Sequence, residues 1–140
     1  MEHLGYHLRL STKDDADDLA RLWGKYQPAT DLEVDWADTE GCWMMAVAAD
    51  GLAVAGAIQL FYSRPTAFID NLLMDPALDH DRRSDLAKAL IASAAAFLAG
   101  QRAAAVMSQI DPEHDSWVHW CLKRGWRIIA PRLLMTKKVA

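Results

Sequence analysis

Glycine is scarce where an α/β chain most often needs it. The sequence has 7 glycines in 140 residues, and none falls in Asp79 to Ala87, which reads DHDRRSDLA. A turn that cradles phosphate through converging backbone N–H groups favours glycine, and this segment carries Asp79, Asp81 and Asp85 instead. Cysteine is also sparse. Cys42 and Cys121 form neither a CxxC pair nor a zinc spacing, which argues against a disulfide framework and leaves reduced thiols in a cytoplasmic compartment as the expectation. Basic excess is absent: the net charge of −4 gives no electrostatic case for nucleic acid or an anionic membrane. No apolar run approaches the ~20 residues that span a bilayer. The N-terminus, MEHLGYHLRL, lacks the apolar centre of a signal peptide. His80 and His114 have no ligand partners at useful spacing, so no metal site is expected.

What is present is the composition of a globular domain, 52% hydrophobic and 24% charged, and the length predicts one domain over residues 1–140. Six tryptophans are more than a core of this size usually holds, so some are candidate interface anchors.

Periodicity divides the chain. His7 to Leu10 reads as a short strand. Thr12 is a candidate N-cap with Asp15 three residues on, and Ala16, Leu19, Ala20, Leu22, Trp23 and Tyr26 follow at helical spacing before Pro28. Residues 27–40 have no period and are acidic, with Asp31, Glu33, Asp35, Asp38 and Glu40. Trp43 to Ala48 and Leu52 to Tyr62 read as strands around Asp50-Gly51, a hairpin signal. Thr66 to Met74 reads as a strand buried on both faces. The segment Asp79 to Ala87 reads as a charged turn in which Asp81 or Ser84 caps the next helix. Leu86, Ala89, Leu90, Phe97 and Leu98 mark that helix, with Gly100 as its C′ residue. Ala103 to Ile110 is another strand. Asp111 and Pro112 open a helix carrying Trp117, Trp120 and Cys121 that stops at Gly125, and Trp126–Ile129 and Arg132–Val139 are the last strands. The tryptophans Trp117, Trp120 and Trp126 are expected in the core. The strand–helix–strand at the centre requires a right-handed crossover, so the expected architecture is an α/β (α+β) mixed sheet flanked by helices.

This order resembles the GNAT acetyltransferase superfamily over nearly the whole chain, and two local patterns carry the resemblance. Family members often read I-x-x-L-x-V-x-P and then R-G-x-G-x-G or R-x-x-G-x-A. Here Ile69-Asp70-Asn71-Leu72-Leu73-Met74-Asp75-Pro76 matches the strand, while Arg82-Arg83-Ser84-Asp85-Leu86-Ala87 keeps the arginine and the alanine but has Asp85 at the central glycine. The last helix in the family often ends F-Y-E-K-x-G-F; here Trp120-Cys121-Leu122-Lys123-Arg124-Gly125-Trp126 keeps the aromatic–glycine–aromatic frame and replaces the tyrosine with Cys121.

The resemblance implies a GNAT-like acyl-CoA N-acyltransferase fold and an N-acetyltransferase that moves acetyl from acetyl-CoA to an amine, either a small molecule or a protein amine. It places donor contacts on Leu72, Leu73 and Met74 of the strand and on Arg82, Arg83, Ser84, Asp85, Leu86 and Ala87 of the loop. Asp70 falls where a carboxylate often serves as general base, and Cys121 where an acid protonates the departing thiolate. The acidic stretch Asp31 to Glu40 falls at the acceptor site. Against this stands Asp85: a carboxylate ~5 Å from each phosphate charge costs about 3 kcal/mol per pair at an effective dielectric near 20. The alternative is a GNAT-fold subunit whose cofactor site has decayed and which acts through protein partners, as a homo-oligomer or in a larger assembly such as a virion.

Overall fold

The structure, a computed structural model, describes residues 2–3, 5–26, 39–51, 53–63, 65–108 and 115–127. The chain forms two compact units, Met1–Met107 and Ser108–Ala140. The first unit holds β1 (Glu2–His3), β2 (Tyr6–Leu10), a 3-10 turn (Lys13–Asp15), α1 (Ala16–Tyr26), β3 (Trp43–Ala48), β4 (Val54–Ser63), β5 (Thr66–Met74) and α2 (His80–Gly100). β6 (Ala105–Ser108) follows, with all but its last residue in this unit. The sheet runs β1-β2-β3-β4-β5-β6 in chain order.

From β1 to β5 every neighbour pair is antiparallel. Gly51, at φ 78°, makes the tight turn between β3 and β4, and its N–H donates to the Ala48 carbonyl at 2.8 Å. The connection from β5 to β6 is different. The Ala104 N–H donates to the Pro65 carbonyl at 2.7 Å, and each residue directly precedes its strand. β5 and β6 therefore start side by side and run parallel, with α2 as the crossover that parallel neighbours require. The sheet is mixed, as the element order predicts.

Among the described residues of this unit, α1 packs one face of the sheet and α2 the other. Leu19, Leu22 and Trp23 of α1 bury against Trp43, Met45, Val47, Val54, Ala57 and Leu73. On the other side Leu86, Ala87, Leu90, Ile91, Ala94 and Leu98 of α2 are buried; Ala89 and Phe97, expected on that face, are only half-buried. Each leucine so buried contributes roughly 2–3 kcal/mol of transfer free energy. Gly56 sets how closely α2 can approach. A Cβ there would lie 2.8 Å from Met74 Sδ and 3.2 Å from Leu90 Cδ1, so the missing side chain is the space that β5 and α2 fill.

The start of α1 has the expected capping box. Thr12 is the N-cap, and the Asp15 side chain accepts from the Thr12 N–H at 2.7 Å. Arg9 of β2 reaches the same carboxylate through two nitrogens, at 2.7 and 2.9 Å.

Three expectations are corrected. The segment from His80 onward is helix, not turn, and its N-cap is Asp79 rather than Asp81 or Ser84, because Asp79 is the residue with extended backbone whose carboxylate meets the Arg82 N–H. The helix does not end on a left-handed Gly100. Gly100 is its last residue, and the left-handed position is Arg102 at φ 65°. There the Ala103 N–H donates to Leu98 O and the Arg102 N–H to Ala99 O, the Schellman pattern. Finally, β5 is not buried on both faces throughout: Phe68 and Asp70 are exposed, whereas Leu73 and Met74 are buried.

The second unit holds α3 (Asp115–Lys123). It closes with the same pattern, here with glycine in place: Gly125 has φ 88°, its N–H donates to Leu122 O, and the Trp126 N–H donates to Cys121 O. Trp120 and Trp126 are half-buried rather than core, and the Arg124 guanidinium lies 4.4 Å from the centre of the Trp120 ring. The acidic residues Asp31, Glu33, Asp35 and Asp38, the Asp111-Pro112 pair and the terminal strands lie outside the described residues, apart from Trp126 and Arg127. Among the described residues, no helix is long and apolar enough to cross a membrane.

Candidate functional site

The site grows from an irregularity in β5. Gln59 pairs with Asp70 and Ala57 with Leu73, so one residue of β4 faces two of β5, a β-bulge. Its extra residue is Asn71, at φ 52°, a left-handed conformation that asparagine tolerates better than most residues. Two hydrogen bonds hold it there. Asn71 Nδ2 donates to Gln59 Oε1 at 2.8 Å, and the Asn71 N–H donates to Asp70 Oδ1 at 2.8 Å. The bulge resets the alternation of the strand, since side chains change face at every residue of a regular strand. Before it, Phe68 and Asp70 lie on the α1 side of the sheet. Three residues after Asp70, Leu73 lies on that same side and joins the α1 core.

Asp70 is thus an exposed carboxylate with one oxygen fixed by backbone. Leu72 is half-buried, and Leu73 and Met74 are 0% and 3% exposed. The Leu73 and Met74 side chains are core, which leaves backbone as the part of this strand end that can meet a ligand.

Beyond Met74, Asp75 makes a tight turn, its Oδ1 accepting from the Ala77 N–H at 3.0 Å and its carbonyl from the Leu78 N–H at 3.1 Å. The chain then enters α2. Asp79 Oδ1 accepts from the Arg82 N–H at 2.9 Å, and the Asp79 carbonyl accepts from the Arg83 N–H at 2.9 Å. By helix geometry the amides from Arg83 onward are spent within α2, and the open N–H groups of its first turn are those of His80 and Asp81.

Arg82, Arg83, Ser84, Asp85, Leu86 and Ala87 therefore lie in the first two turns of α2. Arg82 and Asp85 are exposed and Arg83 and Ser84 half-buried, while Leu86 and Ala87 face the sheet at 1% and 2% exposure. Asp85 is six residues past the cap, about 9 Å along the helix axis at 1.5 Å per residue. The carboxylate that stands at the helix mouth is Asp79, not Asp85.

Cys121 lies in the second unit, with 6% of its surface exposed. Burial pushes its thiol pKa up, against a smaller opposing effect of Arg124. Sequence reasoning did not find Gln59, Asn71 or Asp79. The available signals were an asparagine inside an apolar strand and an aspartate placed three residues before a helical amide.

The sequence matches no protein-family model and no curated protein. Solved structures do match. The aminoglycoside N-acetyltransferase AAC(6')-Iy in complex with CoA superposes with a TM-score of 0.68 over 100% of both chains, at 19% identity. An acetyltransferase of Trypanosoma brucei gives 0.63 over 94% of this chain and 99% of its own, at 19% identity. Ard1 from Thermoplasma volcanium gives 0.64 over 91% and 86%, at 20% identity. Matched along its length by acetyltransferases, the chain has an acyl-CoA N-acyltransferase fold. Within that class the chain has the GNAT superfamily fold.

Proposed function

We propose that this protein is an N-acetyltransferase of the GNAT type, taking acetyl from acetyl-CoA and passing it to an amine. The observation that supports this most is the bulge at Asn71, which holds the Asp70 carboxylate exposed in the same strand whose end leads into the mouth of α2. Structural neighbours with this fold are acetyltransferases, one of them solved with CoA.

The residues at the mouth fit an anionic donor in part. The His80 and Asp81 N–H groups sit at the positive end of the helix dipole, and Arg82 and Arg83 add charge beside them. Backbone of Leu72 to Met74 is the stretch available to the pantetheine arm. Acetyl-CoA supplies an acyl carbon whose C–S bond breaks as the amine N–C bond forms. Asp70 accepts the proton that the acceptor nitrogen must lose, directly or through one water. The hydrogen bond from the Asn71 N–H fixes the orientation of that carboxylate, and Gln59 fixes Asn71. The thiolate takes its proton from water. Cys121 serves packing in this reading, because burial makes it a weaker acid than an ordinary thiol.

The experiment is release of free thiol from acetyl-CoA with a panel of primary amines. Asp70→Asn should lower kcat by about 100-fold or more, the usual scale of general-base catalysis, while Cys121→Ala leaves turnover within a few-fold. Turnover that survives Asp70→Asn intact contradicts the assignment of the base. A non-catalytic subunit acting through protein partners is the second reading, and Asp79 is the observation that favours it, since its carboxylate already occupies the helix mouth. Absence of CoA binding would select that reading.

A further inference from the structure

Past α1, toward the turn between β4 and β5, the sheet carries two aromatic rings open to solvent. Phe61 and Phe68 are cross-strand partners, 43% and 41% exposed. Alternation places both on the face that carries Gln59 and Asp70, themselves partners at the next position along the strands. On the opposite face of the same segment Leu60, Ala67 and Ile69 are buried, and Tyr62, beside the turn, is 39% exposed. Directly opposed residues of an antiparallel pair stand ~5 Å apart, so the two rings form one surface. Asp70 follows two residues after Phe68, about 7 Å along the strand. Its Oδ1 is held by the Asn71 N–H, and among the described residues Oδ2 takes no hydrogen bond. A cation within about 6 Å of a ring centre is attracted by its π face, so one ammonium group can meet a ring and the carboxylate together.

We propose that Phe61, Phe68 and Asp70 form the acceptor subsite, and that it takes a primary ammonium borne on an apolar or aromatic body rather than on an amino sugar. The acetyl-transfer reading supplies the reason an amine comes here, and the inference deepens that reading. The rings recover apolar area from water when an apolar body covers them. A sugar pressed on them would lose water from hydroxyls that the rings cannot partner. The carboxylate selects positive charge and repels an anionic acceptor.

The test is titration of phenethylamine into the full chain without CoA, read by calorimetry. Phenethyl alcohol (the ring without the charge) and glucosamine (the charge without the ring) are the controls. Phenethylamine should saturate and bind at least fivefold tighter than either. Phe61→Ala and Phe68→Ala should each weaken it about three- to fivefold, Asp70→Asn should weaken it by a similar factor, and Phe68→Tyr should retain it. The rings are exposed, so thermal melts of these variants should match the parent. Equal binding of the alcohol or of glucosamine, no binding at all, or indifference to both phenylalanines would overturn the proposal. A parallel acetyl-CoA titration separates the two ideas. Amine binding without CoA binding counts against acetyl transfer and leaves the subsite standing, and CoA binding without amine selectivity sinks the subsite alone.

Discussion

The two long-helix segments of the first unit begin in ways that look alike and differ in kind. At the start of the α1 segment, Asp15 closes the turn on Thr12 and is gripped by Arg9 through two hydrogen bonds. It is 6% exposed, so the arrangement is sealed and complete. At the start of α2, Asp79 closes the turn on Arg82 but is exposed, and exposed His80, Asp81 and Arg82 follow it. Both mouths hold a carboxylate where the dipole favours an anion. Only the second can exchange its own anion for one from solution. A sealed cap contributes to stability, and an open one is available to a ligand.

Substitutions can break that contrast, and the largest effect belongs to the sealed mouth. Asp15→Ala should cost about 2–3 kcal/mol by denaturant unfolding, since it strands the Thr12 N–H and leaves Arg9 without its partner. The pH dependence follows from the same pair. The hydrogen bond from Arg9, with smaller help from Thr12, holds the Asp15 pKa below its ordinary 3.8. The carboxylate therefore adds stability that is fully present above that value and is lost as pH falls through the lowered one. Asp15→Asn should remove that part of the acid dependence from a series of melts.

Asp79→Ala should cost about 1 kcal/mol, the ordinary value of a lost N-cap, whereas Asp79→Ser should stay within about 0.5 kcal/mol of the parent because serine caps as well. The smallest effect is expected at Asp85. It sits about 9 Å further along α2, roughly a Debye length from the mouth at physiological salt. Asp85→Ala should therefore raise stability by about 0.5 kcal/mol through helix propensity and change acetyl-CoA affinity by less than about twofold. An effect at Asp85 larger than at Asp79 would mean that the phosphate site lies on the second turn rather than at the cap.

Much of this architecture is legible in the sequence, and the misses share a physical cause. Thr12 and Asp15 are local, three residues apart, and their capping box is as expected. The Asp50-Gly51 hairpin and the Gly125 stop are local in the same way. Arg102 is the counter-example. The α2 terminus makes the same Schellman pattern as the α3 terminus, yet its left-handed residue is arginine, and a pattern that looks for glycine stops two residues early at Gly100. The bulge escapes for a different reason. Asn71 is held by Gln59 from another strand, twelve residues away in the chain, and no local period encodes that pairing. Once the bulge shifts the alternation, the apolar run Phe68–Met74 ceases to be a uniformly buried strand and becomes an open half and a sealed half. The position of Asp79 was hidden by a similar ambiguity, because the segment from Asp79 to Asp85 offers several residues able to cap, and only the backbone decides which one does.

The central claim is that the mouth of α2 receives the anionic end of acetyl-CoA in competition with Asp79. Calorimetric titration of acetyl-CoA into the parent and into Asp79→Ser tests it most directly. The account predicts saturable micromolar binding to the parent, tightened about fivefold by the serine, which is the roughly 1 kcal/mol expected for removing one solvent-screened charge ~5 Å from a phosphate. No binding to either protein at millimolar acetyl-CoA, or weaker binding to the serine variant, would contradict it.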